Sequence, residues 1–234
     1  MKMPSLNRGL LGFSLLEMII SLAILLVVMG TIFDQIVLMQ RKAASESSKV
    51  DLMQESREFV DQTVRDLHMA GYPNPQMYSP LMNDESKKAY GLVSVSRTQI
   101  MMEGDVNGDG NVESLTLAYV ASDPNDPGCP CVRRSAVGKI NANSQSQPQA
   151  TSFTEIQHVV PPDQAAQDIF SFYQQSGDAV LIGTAGTDTS TPDGKTAIAS
   201  ISTVKVNLTV ANGTDPASGQ ILKNSFSATA RLDQ

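Results

Sequence analysis

Tryptophan is absent from the 234 residues, and cysteine and histidine occur twice each. Two cysteines exclude a disulfide-stapled scaffold. His68 and His158 do not stand at zinc spacing from Cys129-Pro130-Cys131, so no zinc finger or ribbon is written in the chain. No P-loop, Rossmann glycine pattern, Ser-His-Asp arrangement or zinc-protease pair occurs, and the acids are scattered without a paired active site. The expectation is a protein that is not an enzyme. Basic residues are also short: 17 Lys and Arg against 24 Asp and Glu give a net charge of −7. With no basic patch interleaved with aromatics, nucleic-acid binding is excluded as a core function.

Charge itself is missing from Met18 to Phe33, and neither Pro nor Gly occurs between residues 31 and 70. Phe13–Phe33 holds 21 residues and a single charge, Glu17. As a helix this run is about 31 Å long, enough to cross a bilayer core. A carboxylate at mid-membrane costs roughly 2.5–3.5 kcal/mol, so Glu17 asks for a partner. An uncleaved single-pass anchor fits the hydropathy. So does a secretory signal with small residues at Val28-Met29-Gly30, but neither accounts for the acid. Lys2 and Arg8 lie before the run and Arg41, Lys42 and Lys49 after it, so the positive-inside rule sets no orientation.

Gly12, Phe13 and Glu17, with Lys2 and Arg8 upstream, resemble the prepilin signature of type IV pilins and type II secretion pseudopilins. The resemblance implies cleavage by prepilin peptidase between Gly12 and Phe13, N-methylation of Phe13, and a role for Glu17 in assembly. Loss of the leader, residues 1–12, would take the net charge from −7 to −9. Physics suits this arrangement. A carboxylate in the first turn relieves the positive end of the helix dipole. In a packed filament Glu17 could meet the Phe13 amine of a neighbouring subunit.

The helix is expected to continue to Ala70, with residues 13–37 as the transmembrane or filament-core part and 13–72 as the whole segment. Val50, Met53, Val60, Val64 and Leu67, with Leu52 and Phe59 beside them, make an apolar stripe opposite Glu46, Lys49, Asp51, Glu55, Arg57 and Asp61. Gly71 offers a left-handed cap and Pro73 and Pro75 end the helix. Arg65-Asp66 followed by Ala70-Gly71-Tyr72 resembles PilW-type minor pilins. His68 reads as a surface residue.

Residues 73–234 read as an antiparallel sheet domain. Residues 73–90 form a connector, Gly91–Met102 one strand and Ser114–Val120 its hairpin partner. Asp105, Asn107 and Asp109 take the first, third and fifth places of an EF-hand-like loop, with Gly110 at the sixth. Asn111 and Glu113 could add oxygens to a Ca²⁺ ion held there. The bidentate acid of a true EF-hand is missing, because Thr116 stands in its place. A turn needing Asn-Gly and Asp-Gly, with solvated carboxylates, is the competing reading. The Asp-x-Asn-Gly-Asp-Gly turn also resembles PilW-type proteins, as does Arg133-Arg134 on a strand over Cys131–Val137.

Cys129 and Cys131 can be oxidised outside the cytoplasm. A ring across one residue is strained and easily reduced, and free thiols or half a metal site are the alternatives. Asn141–Ala150 and Gly183–Thr196 read as loops, and Phe153–Val160 as a strand. Ile169–Tyr173 and Ala179–Ile182 read as a hairpin, and Val204–Val210 with Phe226–Leu232 as a last antiparallel pair.

The expected fold is α+β and pilin-like: a long N-terminal helix, its first half membrane-spanning, its second half packed on an antiparallel β-sheet. The resemblance implies a minor pilin that primes or tips a type IV pilus. Its partners would be prepilin peptidase, other major and minor pilins and the inner-membrane assembly platform. The location implied is the bacterial inner membrane, single-pass, with the C-terminal domain outside the cytoplasm, and the pilus after assembly. A type II secretion pseudopilin has the same architecture. A membrane-anchored, calcium-dependent binding or adhesion module is the alternative of another class.

Overall fold

The structure, a computed structural model, describes residues 14–77, 84–148, 151–183, 185–214 and 221–232. Helix α1 runs unbroken from Leu15 to Met69. The chain divides into two compact units, residues 1–50 and 51–234, and α1 passes from the first into the second. In the first unit every described residue from Ser14 to Ser48 is exposed.

The second unit is built on two antiparallel sheets. The larger has the order β5-β4-β3-β2-β1-β7 and the smaller β6-β8-β9. Strands β1 (Gly91–Val95), β2 (Gln99–Gly104), β3 (Glu113–Val120), β4 (Cys131–Gly138) and β5 (Phe153–Ile156) follow α1 as a meander. The short helix α2 (Pro162–Ala165) precedes β6 (Phe170–Tyr173). Strand β7 (Thr187–Asp188) joins the free edge of β1, and helix α3 (Pro192–Ala199) leads into β8 (Thr203–Thr214) and β9 (Ile221–Arg231).

One apolar cluster joins these parts. Phe59, Val60 and Leu67 of α1 bury with Leu92, Ile100, Leu115, Leu117 and Val132 of the large sheet. Phe170, Phe172, Val204, Val206, Leu208 and Val210 of the small sheet complete it, with Ile198 of α3. Full burial of one such side chain stabilises by about 1.5–3 kcal/mol, so this cluster supplies the main driving force for the fold.

The buried stripe of α1 keeps Phe59, Val60 and Leu67 of the expected one, with Leu52 and Val64 packed against the core, and adds polar residues to it. It runs Ser56, Phe59, Val60, Thr63, Asp66, Leu67 and on to Ala70, at helical spacing. Val50 is exposed and Met53 half-buried. Polar members disguise the stripe: Ser56 donates to Leu52 O at 2.6 Å, and Asp66 meets charged and amide donors. Gly71 ends the helix with φ 85° and gives its N–H to Glu103 O at 2.8 Å.

Other expectations are corrected in the strands. Gly91–Met102 is two strands, not one, because the Ser96 hydroxyl accepts from Thr98 N and Gln99 N and turns the chain. Phe153–Val160 ends as a strand at Ile156, two residues before His158 takes φ 57°. Ala179–Ile182 pairs with β6 by one bridge only, Tyr173 to Ala179. Gly183–Thr196 holds β7 and the start of α3, whose Thr191 cap accepts from Gly194 N at 3.1 Å.

Candidate functional site

The N-terminal segment is one candidate. Glu17 N and Met18 N open the helix by donating to Ser14 O at 3.0 and 3.2 Å. The Ser21 hydroxyl donates to Glu17 O. Leu15 is 78% exposed, Leu26 66% and Phe33 63%, and Glu17 is exposed among them. Helix α1 is long and apolar enough at this end to cross a membrane. An apolar surface of this extent excludes water only by meeting lipid or other apolar helices. Gly12 and Phe13 lie outside the described residues.

The loop between β2 and β3 is the second candidate. Asp105 is buried and gathers the turn: Oδ1 accepts from Gly108 N at 2.8 Å and Asp109 N at 3.1 Å, and Oδ2 from Gly110 N at 2.9 Å. Asn107 Oδ1 accepts from Asp109 N at 2.8 Å, and Asp109 Oδ1 from Asn111 N at 2.7 Å. Glu113 closes the loop, taking Val106 N on Oε2 and the Asn107 amide on Oε1, both at 3.1 Å.

Burial pushes the Glu113 carboxyl above its ordinary range; the Val106 N–H opposes this, and the negative charges of Asp109 and Asp105 add to it. Asp109 is held below its ordinary value, first by the Asn111 backbone N–H.

The donor types of Asp105, Asn107, Asp109, Asn111 and Glu113 suit a hard cation. Their arrangement gathers them less well. The three carboxylates do not come within 4.8 Å of one another as a group. Lys87, from a turn outside the loop, places its ammonium 2.9 Å from Gly110 O and 2.6 Å from Asn111 Oδ1. A positive charge thus already rests on two loop oxygens. Sequence reading missed Lys87, because its partners lie 23 and 24 residues away.

Cys129 and Cys131 are joined to one another as a disulfide. Asp126 lies with them within 4.8 Å, but disulfide sulfurs are not thiolate ligands. Asp126 instead accepts from Thr154 Oγ1 at 2.6 Å and Gly128 N at 3.0 Å, and faces Arg133 together with Asp123. The Thr154 hydroxyl first, then the Gly128 N–H, hold its carboxyl below the ordinary range. These bonds pin the loop to β4 and β5.

The Arg133-Arg134 pair divides its work. Arg134 reaches Asp66 on α1, with Nε and Nη2 at 3.3 and 3.1 Å from Oδ2. Asp66 is 2% exposed and also accepts from Gln62 Nε2 at 2.7 Å. Arg65, its neighbour, donates to Gln62 Oε1 on the exposed side at 2.8 Å. Comparison with protein-family models, curated proteins and solved structures gives no match.

Proposed function

We propose that this chain is a non-catalytic filament subunit, a minor pilin that primes or tips a type IV pilus and is anchored in a membrane before assembly. One observation carries the reading. A single helix runs without a break from a fully exposed apolar segment bearing Glu17 into the core of a β-sheet domain. Such a helix is a stem with two different burial needs: its second half is covered by its own chain and its first half is not. A bilayer covers the first half before assembly, and neighbouring helices cover it afterwards. Glu17 is then the polar group that sets register, by meeting the amine of an adjacent subunit.

The test is the mature N-terminus. Sequencing should give methylated Phe13; an N-terminus at Met1 or at Thr31 overturns the reading. Glu17→Ala should leave cleavage intact and reduce surface pili at least tenfold. Unchanged pilus number removes the register role, and retained pili with lost protein secretion would move the chain to a type II secretion filament.

A further inference from the structure

The two sheets present four outer strands, and three of them are blunted. Strands β5 and β7 have four and two residues. Strand β6 has four, and its outer side is met by Ala179 and by Val180, whose N–H donates to Phe172 O at 2.8 Å. The fourth, β9, has eleven residues and pairs only with β8 among the described residues.

The direction of its backbone groups follows from β8. Asn207 N and Ala211 N donate to Ile169 O and His158 O, and Thr209 O accepts from Val160 N, so odd residues of β8 face away from β9. Backbone groups alternate sides along a strand. The bonded pairs with β9 are therefore Val204–Ala230, Val206–Ala228, Leu208–Phe226 and Val210–Asn224. Lys223, Ser225, Ser227, Thr229 and Arg231 turn their N–H and C=O outward, over about 27 Å at 3.4 Å per residue. No described backbone group bonds to them. Their side chains are exposed as well. A long open edge is a template for another strand, and natural proteins usually cover it.

Charge says which strand. The net charge of the chain is −7, yet β6, β8 and β9 contain Lys205, Lys223 and Arg231 and no Asp or Glu. Lys205 lies opposite Thr229 on the same face. A second copy fits poorly: the antiparallel register using all five outward residues sets Lys223 opposite Arg231 at both ends, and like charges directly opposite repel.

We propose that β9 is a strand-addition site for an extended segment of another protein that carries carboxylates at alternate positions. The added strand bonds the five outward residues, and its acids lie beside Lys223 and Arg231, with Lys205 one strand further in on the same face. This does not rest on any role of the N-terminal helix.

The full chain in detergent micelles tests it, with a synthetic ten-residue peptide alternating threonine and glutamate as the probe and its lysine counterpart as the control. The glutamate peptide should slow amide exchange at Lys223, Ser225, Ser227, Thr229 and Arg231 at least tenfold, and the lysine peptide should bind at least tenfold more weakly. Ser227→Pro removes an outward N–H and no bond to β8, and should weaken binding tenfold or more at unchanged melting temperature. The Lys223→Glu, Arg231→Glu pair should weaken binding as much, while the loss of the Lys223 bond to Gln164 O is read separately in its melting temperature. No slowing at these amides, or equal binding by the charge-reversed pair, overturns the proposal. So does self-association of the chain that Ser227→Pro abolishes, which would give the edge to a second copy.

Discussion

Lys139 is fully buried, and its ammonium lies 2.7 Å from Glu103 Oε2, 2.9 Å from Lys88 O and 4.1 Å from the centre of the Tyr90 ring. Glu103 is equally buried, and its Oε2 also accepts from Tyr90 N at 3.2 Å. Removing one member leaves the other charge in a dry site, whereas removing both leaves none. Lys139→Met should therefore cost about 3–5 kcal/mol, and Lys139→Met with Glu103→Gln should recover more than half of it. Urea unfolding of residues 51–234 measures this; additive losses would show that the pair is not coupled. Glu113 makes a second prediction. Its carboxyl titrates above the unfolded value, so the native state holds a proton where the unfolded chain has lost it. That stability is present below the ordinary carboxylate range and is lost as pH rises through the raised value. Glu113→Gln should gain most, relative to the parent chain, at neutral pH, and the difference should vanish in acid. Melting curves from about pH 4 to pH 7 check the sign, since Asp84, Asp109, Asp123, Asp126 and Asp188 titrate low and pull the other way in both chains. The same loop carries a prediction for calcium. With Lys87 on two of its oxygens, millimolar CaCl₂ should give no saturable heat; a heat abolished by Asp105→Ala and Asp109→Ala would put the ion there.

At the scale of elements, strict patterns were legible and interrupted ones were not. The uncharged run after Glu17, the unbroken 31–70 stretch and the Gly71 stop mark the course of α1, and its end at Met69 falls within a residue of the expected Ala70. Val204, Val206, Leu208 and Val210 mark β8 because one face is wholly buried. The buried face of α1 was obscured by Ser56, Thr63 and Asp66; Ser56 is bonded to Leu52 O within the helix, and Asp66 to Gln62 and to Arg134 sixty-eight residues on. Helix α3 was read as loop because its eight residues include Gly194 and bury one apolar side chain, Ile198. The loop oxygens were visible from their spacing, while Lys87 was not. The docking of α1 was equally hidden. Gly104 lies so close to its end that a Cβ there would meet Met69 O at 2.2 Å. Gly104→Ala should destabilise residues 51–234 by about 1–3 kcal/mol, as overpacking does. An unchanged urea midpoint would show that the helix end can move aside.

For the molecule as a whole, the two units differ in what covers them. Residues 51–234 have their own core, whereas the apolar residues of the first unit are left exposed. The full chain should stay with the membrane fraction after alkaline washing, and residues 51–234 should be soluble and melt cooperatively. A soluble full chain, or a precipitating domain, would contradict this division. The junction after α1 bears on both parts. Gly71 N bonds Glu103 O at 2.8 Å, Asp105 N bonds Tyr72 O at 2.9 Å, Ala89 N bonds Pro73 O at 3.2 Å, and Ala70 bridges Gly104. With Arg134 gripping Asp66 one turn earlier, the C-terminal end of α1 is tied to the sheet at several points. Tension drawn along the end of α1 arrives on several backbone bonds and a charged clamp together. The domain should then follow a pull as one body, yielding only when that whole seam gives way rather than bond by bond.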